Sequence, residues 1–418
     1  MADPARRLLE RLAWLAPEPV PEFLLDVPIP ENGGGDLCEA LADLAAYSLA
    51  TRDPEEPRFL VHGLVQDVTR RSLDVAATQQ RLTEALGWIN TAFDGDPSDA
   101  RSWPRLDPLA PHAQNVTHYG DAAGIVEPTA SLMNQIGMLF DARSLPAQAE
   151  PLYRRALAID EASYGPEHPD VARDLNNLAE LLRATNRLAD AEPLYRRARA
   201  INEATFGPDH PKVATCLNNL ALLLVDTGRT VEAEPLLRQA LTIAEASFGP
   251  YHATVAIRLN NLAGLLWATN RLTAAEPLMC RALAIDEATF GPDHPNMAVR
   301  LNNLGGFLRY SSRVAEAEPL YRRALAIDEA SFGPNHPNVA IRLNNLAELL
   351  GAMNRLAEAE PLMRRHLAIF VDFERKAGHP HPHRERAIAN YGGLLAEMGK
   401  SEAEIIAAIA ALTGQGGE

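Results

Sequence analysis

From about residue 128 onward, apolar residues recur three and four positions apart, interrupted at fixed intervals by polar, proline-bearing joints. Val171 to Leu182 reads Val-Ala-x-x-Leu-Asn-Asn-Leu-Ala-x-Leu-Leu, the spacing of one helical face. Ala149 to Ala162 reads Ala-Glu-Pro-Leu-Tyr-Arg-Arg-Ala-Leu-Ala-Ile-Asp-Glu-Ala. It predicts a second helix with Pro151 in its first turn, where backbone N–H groups have no helical partner to lose. One joint between such helices is short, Thr185-Asn186-Arg187, with Gly228 or Asn270 in the Asn186 slot. Both residue types tolerate the left-handed backbone that ends a helix. The other joint, Gly-Pro-x-His-Pro, breaks the chain and launches the next helix pair.

The pattern is periodic. Glu-Pro recurs at Glu150, Glu192, Glu234, Glu276, Glu318 and Glu360, and Leu-Asn-Asn-Leu starts at Leu175, Leu217, Leu259, Leu301 and Leu343. Gly-Pro follows the same 42-residue clock at Gly165, Gly207, Gly249, Gly291 and Gly333. A single helix pair cannot bury its apolar face alone, so the units must stack. Composition alone would mislead here: 31 Pro and 26 Gly suggest irregular structure, yet 15 of those prolines sit in periodic Glu-Pro, Gly-Pro and His-Pro motifs. The last unit departs from the pattern with His379-Pro380-His381-Pro382-His383 and Ile388-Ala389-Asn390-Tyr391, and with the tail to Glu418 it reads as a cap.

Within Leu175 to Ala198, Leu175, Leu178, Ala179 and Leu182 match the first-helix packing positions of the tetratricopeptide repeat. Ala191, Tyr195 and Ala198 match its small–aromatic–small second-helix positions. The unit length, Leu-Asn-Asn-Leu, Glu-Ala-Glu-Pro and Gly-Pro-x-His-Pro resemble the kinesin-light-chain variety, which is longer than the ordinary repeat of about 34 residues. The resemblance covers roughly residues 128–403. It implies an all-α fold, a right-handed α-solenoid whose concave groove holds extended or helical peptides.

On a wheel of about 100° per residue, Asn177 falls opposite Leu175, Leu178, Ala179 and Leu182, on the side that lines the groove in such a solenoid. Asn219, Asn261, Asn303 and Asn345 continue an amide ladder. An amide donates and accepts, which suits a peptide backbone of any sequence; the alternative is that the amides tie adjacent repeats together. Non-repeating positions should carry specificity. Glu180, Leu222, Gly264, Gly306 and Glu348 share one slot, and Ala184, Asp226, Ala268, Tyr310 and Ala352 share another. Small residues thus cluster mid-array, and a central pocket is expected around Gly264, Gly306, Trp267 and Tyr310, with a packing role for Trp267 as the alternative. Arg258, Arg300 and Arg342 flank this region and are expected to meet an acidic ligand.

Residues 1–127 lack the clock. Arg7 to Leu15, Leu37 to Leu49 and residues 75–93 read as helices, Arg58 to Leu73 as a short strand running into a helix, and Trp103 to Pro111 as an irregular joint. The segments starting at Leu15 (Leu-Ala-Pro-Glu-Pro-Val-Pro-Glu), Ala40 (Ala-Leu-Ala-Asp-Leu-Ala-Ala-Tyr-Ser-Leu) and Val61 (Val-His-Gly-Leu-Val-Gln-Asp-Val) resemble the winged-helix part of bacterial NB-ARC/STAND signalling NTPases. In that family a histidine in a Met-His-Asp-like motif faces the nucleotide phosphate. His62 matches it, while Val61 and Gly63 depart from the motif. The nucleotide-binding core that the resemblance places ahead of this segment does not appear in the sequence. No bound cofactor is therefore expected, and the chain reads as the sensor end of a switch, truncated or paired with a separately encoded NTPase. A small helical cap on the first repeat is the alternative. The expected division is a winged-helix-like, mostly helical domain at 1–75, a helical connector at 76–127, the repeat array at 128–403, and a C-terminal cap and tail at 404–418.

Charge narrows the partner class. The net value is −16, and residues 1–127 hold 21 acids against 10 arginines, net −11. That weighs against nucleic acid, which needs phosphate neutralisation, and against anionic membrane surfaces. The pairs Arg154-Arg155, Arg196-Arg197, Arg322-Arg323 and Arg364-Arg365 read as a solvated face beside glutamates. Cys38, Cys216 and Cys280 form neither a disulfide framework nor a metal-ligand spacing. With no apolar run of transmembrane length, the cytoplasm is the expected location. His168, His210, His252, His294 and His336 recur once per repeat and read as a loop-packing device. His379, His381 and His383 lack carboxylate or cysteine company, so no metal is expected. Gly399-Lys400-Ser401 is read as a turn, because Leu394 stands where a phosphate loop needs glycine. No catalytic constellation appears. The expected function is a non-catalytic scaffold holding a peptide or protein partner, with the sensor arm as the alternative.

Overall fold

The computed structural model describes residues 3–29, 36–377 and 383–414. The chain divides into two compact units, Met1–Ala184 and Thr185–Glu418.

In the first unit, helix Asp3–Leu12 buries Ala5, Leu8, Leu9 and Leu12. Arg11 lies on the same buried face, and its Nε sits 2.7 Å from Glu84 Oε2 on helix Val75–Ala92. Arg81 also bonds Glu84, at 2.8 Å, so the buried carboxylate is matched twice. Helices Leu37–Ala46 and Gly63–Ser72 fill the expected regions. A three-stranded antiparallel sheet joins them, with Arg58–Leu60 in the middle, Val20–Pro21 on one side and Thr51–Arg52 on the other. Sequence reading reached only the strand at Arg58. The outer two are two residues long, too short for alternation to register, and Pro21 is tolerated because its strand is an edge. The joint at 103–111 is a run of short helical turns leading into helix Ala110–Ala122. Three repeat helices complete this unit: Thr129–Ala142, Pro146–Tyr164 and Pro169–Ala184.

The second unit is repeat helices throughout. First helices run Pro211–Asp226, Ala253–Ala268, Pro295–Tyr310 and Pro337–Ala352. Second helices run Leu188–Phe206, Thr230–Phe248, Leu272–Phe290, Val314–Phe332 and Leu356–Ala377. Helices Arg384–Glu397 and Glu402–Thr413 follow. Small residues let the helices approach closely: Ala244, Val255, Ala256, Leu259, Ala282 and Ile285 form one buried cluster drawn from successive helices. Each fully buried Leu or Ile contributes roughly 1.5–3 kcal/mol to this stacking.

The second helices start earlier than the sequence suggested. Asn186, Asn270, Ser312 and Asn354 have φ of 58–61°, and Gly228 takes the same left-handed turn at 76°. The chain reverses within two residues, so Pro193, Pro235, Pro277 and Pro319 lie in the second turn, inside their helices. Each therefore forfeits a helical hydrogen bond.

The recurring histidine has a specific structural job. In His210, His252, His294 and His336, Nδ1 accepts from the backbone N–H two residues on, at 3.1–3.2 Å, capping the next first helix. The ring also stacks on the preceding aromatic, for example Phe248 on His252 at 4.8 Å. The turn arginines bridge neighbouring repeats: Arg271 reaches Glu234 at 2.7 Å, Arg313 reaches Glu276 at 2.6 Å, and Arg355 reaches Glu318 at 2.6 Å. These pairs are partly exposed and individually weak, but they repeat with the register. In the Arg-Arg pairs, Arg154, Arg196 and Arg322 bond Glu150, Glu192 and Glu318 one turn back.

Candidate functional site

The first helices of the second unit carry the amide ladder. Asn261 Nδ2 donates to Asn218 Oδ1 at 2.9 Å, Asn303 Nδ2 to Asn260 Oδ1 at 3.1 Å, and Asn345 Nδ2 to Asn302 Oδ1 at 2.8 Å. Asn219 accepts from Asn218 at 3.0 Å. In the first unit, Asn177 donates to Asn134 Oδ1 at 3.1 Å. Asn177, Asn261, Asn303 and Asn345 thus each use an N–H to hold the first asparagine of the preceding repeat, while their half-buried side chains stay at the surface. The ladder ties repeat to repeat.

Beside Asn261 and Asn303 the surface opens into a pocket of about 550 Å³, also lined by Leu222, Val225, Trp267, Met279 and Tyr310. Gly264 lies in its wall, and a side chain there would meet nothing within 4 Å. Trp267 meets Tyr310 edge-on at 6.2 Å and Phe307 at 6.4 Å, so it both packs and faces the opening. Gly306 is not part of the lining. A Cβ there would come within 3.0 Å of Trp267 Cη2, so this glycine makes room for the indole. Leu222, Val225 and Met279 were not singled out from the sequence; Leu222 shares the Gly264 slot, which was the available signal.

The arginines expected to meet an acidic ligand lie elsewhere. Arg258, Arg300 and Arg342 are only 6–8% exposed. Arg300 Nε pairs with Asp286 and Arg342 Nε with Asp328, each at 2.8 Å. Arg258 has Ala244 where Arg300 and Arg342 have Asp286 and Asp328, and turns to Thr215 Oγ1 at 3.1 Å. Burial pushes its guanidinium down to about 10. The correction has a geometric cause: each arginine is three residues before the groove asparagine, about 60° to one side round the helix, where Arg300 and Arg342 meet the preceding second helix.

In the first unit the corresponding pair is Asp160 and Asp174, both fully buried. Arg173 reaches Asp160 at 3.0 Å and Asp174 at 3.1 Å, and Asn134 donates to Asp174 at 2.8 Å. One cation for two buried acids leaves the pair short of positive charge. Burial pushes both carboxyls up, Asp174 to about 7.

Elsewhere, His62 Nδ1 accepts from Leu64 N at 3.2 Å, capping helix Gly63–Ser72. Gly399 takes φ 80° in a turn, and Ser401 with Glu404 forms a capping box on the last helix. Among the described residues no group of three or more His, Cys, Asp or Glu is placed to hold a metal; His379 and His381 lie outside the described residues. Among the described residues no helix is long and apolar enough to cross a membrane.

The tetratricopeptide repeat family matches residues 128–204, 175–246, 219–288 and 296–370. The chain belongs to the tetratricopeptide repeat family. Proteins built from tetratricopeptide repeats are protein–protein interaction scaffolds. Residues 1–78 match a domain of unknown function (DUF7779). A nucleotide-binding leucine-rich repeat (NLR)-like protein of Hyaloscypha variabilis is 30% identical over 174 residues, 41% of this chain; the chain spans 17% of that protein's length. Among solved structures, the nearly identical TPR-like repeats of a Podosopora anserina kinesin light chain match 50% of this chain and 99% of theirs, at 24% identity and a TM-score of 0.41. A signal transduction ATPase with numerous domains and a tetratricopeptide repeat sensor, from Pyrococcus horikoshii, matches 100% of this chain and 64% of its own, at 12% identity and a TM-score of 0.49.

Proposed function

We propose that this tetratricopeptide protein is a non-catalytic scaffold that binds a peptide or protein partner along its first helices, centred on Asn261, Asn303, Gly264, Trp267 and Tyr310. The observation that carries the reading is the pocket of about 550 Å³ at these residues, a volume in the range of ligand sites and lined by aromatic and apolar side chains of the kind that anchor a partner. Asn219 and Asn345 extend the same surface, and Asn177 holds the equivalent repeat position in the first unit. The working division is a small domain at 1–75, a connector at 76–127, the repeat array at 128–403 and a cap and tail at 404–418. The cytoplasm suits the three free cysteines. Affinity capture with mass spectrometry tests the proposal: a partner enriched by the native chain should be lost from an Asn261→Ala/Asn303→Ala variant of unchanged helicity. Undiminished capture by that variant would remove the groove reading.

The second reading is the sensor arm of a nucleotide-driven switch. The NLR-like relative favours it, since the chain corresponds to a small part of a protein whose name includes nucleotide binding. In this reading the nucleotide site lies outside residues 1–418, so ATP should leave the melting temperature of this chain unchanged. A clear ATP-induced rise would contradict both readings.

A further inference from the structure

The helix face that carries Asn261 and Asn303 continues toward the helix starts. Four residues before each amide stand Ile257, Val299 and Ile341, one per repeat, 41%, 40% and 38% exposed. A lone exposed apolar residue is ordinary, but three in register beside an apolar pocket make a continuous surface. The amides therefore run between two apolar borders, the β-branched row on one side and Leu222, Val225, Trp267 and Tyr310 on the other.

The amides themselves differ along the array. Asn219 Oδ1 accepts from Asn218 Nδ2 at 3.0 Å, and Asn345 Oδ1, more loosely, from Asn344 Nδ2 at 3.5 Å. At the centre this internal bond is missing. Among the described residues nothing donates to Asn261 Oδ1 or Asn303 Oδ1, and the side-chain N–H groups of Asn260 and Asn302 donate to nothing, although all four amides are tied by their other atoms. Each central repeat thus offers a free acceptor, a free donor and a β-branched side chain. No Asp, Glu, Lys or Arg lines the pocket; Arg258, Arg300 and Arg342 are buried, and the exposed Arg386 stands away from the pocket, beside Ile341 and Asn345 at the far end of the row.

An occupant that brings an N–H, a C=O and an apolar side chain at a regular rise is a polypeptide. A lipid chain brings no N–H, and a nucleic acid brings phosphates to a central pocket lined by no cation. Packed helices lie about 8–10 Å apart. A polyproline II segment rises about 3.1 Å per residue with three residues per turn, so one turn spans one repeat and every third side chain faces the same way.

We infer that this face binds an uncharged, extended segment of a partner protein carrying an apolar side chain at every third residue, seated on Ile257, Val299 and Ile341, with backbone N–H groups donating to Asn261 Oδ1 and Asn303 Oδ1. This rests on the peptide-binding reading above and adds the chemistry of the partner.

Fluorescence anisotropy with the full chain tests it. The probes are three labelled, C-terminally amidated peptides: leucine at every third position among serines, the same composition with the leucines contiguous, and the first with serines replaced by aspartate. The every-third neutral peptide should bind at least about tenfold tighter than either other probe, with a change under about twofold between low and high salt. Ile257→Ser/Val299→Ser trims two side chains that are 41% and 40% exposed. It should keep native helicity by circular dichroism and lose about tenfold in affinity. Tighter, steeply salt-dependent binding of the aspartate peptide, equal binding of the contiguous peptide, or failure of the every-third peptide to bind would each overturn the inference. The peptide-binding reading stands or falls separately, on partner capture and its loss in the Asn261→Ala/Asn303→Ala variant.

Discussion

One charged slot in the repeat shows how a single position is made tolerable inside a helical stack. Asp286–Arg300 and Asp328–Arg342 are buried ion pairs. Removing one member of such a pair costs far more than replacing both, because the other charge is left without a partner. Asp286→Ala should therefore destabilise by about 3–5 kcal/mol in chemical denaturation, and Asp286→Leu/Arg300→Leu by much less; equal losses would contradict the pairing. The first-unit counterpart, Asp160–Asp174, responds to pH. A carboxyl whose folded value is raised contributes stability that is complete below its ordinary value, 3.8, and is lost as pH rises through the folded value, about 7 for Asp174. Asp141, raised by burial to about 6, acts in the same direction. Hydrogen exchange, corrected for intrinsic rate, should show residues 129–184 better protected at pH 5 than at pH 8. Asp174→Asn should raise protection at pH 8 and flatten that difference, whereas an unchanged difference would remove the carboxyl pair as its source. None of this was legible from spacing alone. Arg258, Arg300 and Arg342 looked like groove residues because their partners lie on other helices, Asp286 and Asp328 14 residues before Arg300 and Arg342 and Thr215 43 before Arg258, distances that no local pattern reveals.

At the scale of the element, the joints decide where helices begin. The left-handed turn residue was readable, since asparagine and glycine are the types that accept it. The histidine cap was not, because histidine is an uncommon N-cap and its recurrence pointed only to packing. His252 both caps Thr254 N at 3.2 Å and stacks on Phe248. His252→Ala should cost about 1 kcal/mol, and His252→Asn, which restores a capping acceptor without the ring, should recover part of it. Thermal melts of the two variants check this; identical melts would mean the cap contributes nothing. The early helix starts follow from the same tight turn. They place proline in the second turn at the loss of one hydrogen bond, which the sequence could not disclose without knowing how abruptly the chain reverses.

For the whole molecule, the 42-residue clock made the helix pairs and their stacking legible, because periodic burial is written in every repeat. The strands at Val20 and Thr51 were too short to leave a trace. The central surface was partly legible: Gly264, Trp267 and Tyr310 stand out as departures from the repeat and the structure brings them to one pocket with Asn261 and Asn303. Gly306 proved to be a seat for the indole, and the row at Ile257 was hidden because β-branched residues on a helix read as core. The central claim is that a partner is held at this surface. A photo-cross-linking amino acid at Tyr310, 58% exposed beside the pocket, can be compared with one at Tyr251, 79% exposed in a loop outside its lining. The account predicts a partner cross-linked from position 310 and not from position 251; equal cross-linking from both, or from position 251 alone, would contradict it.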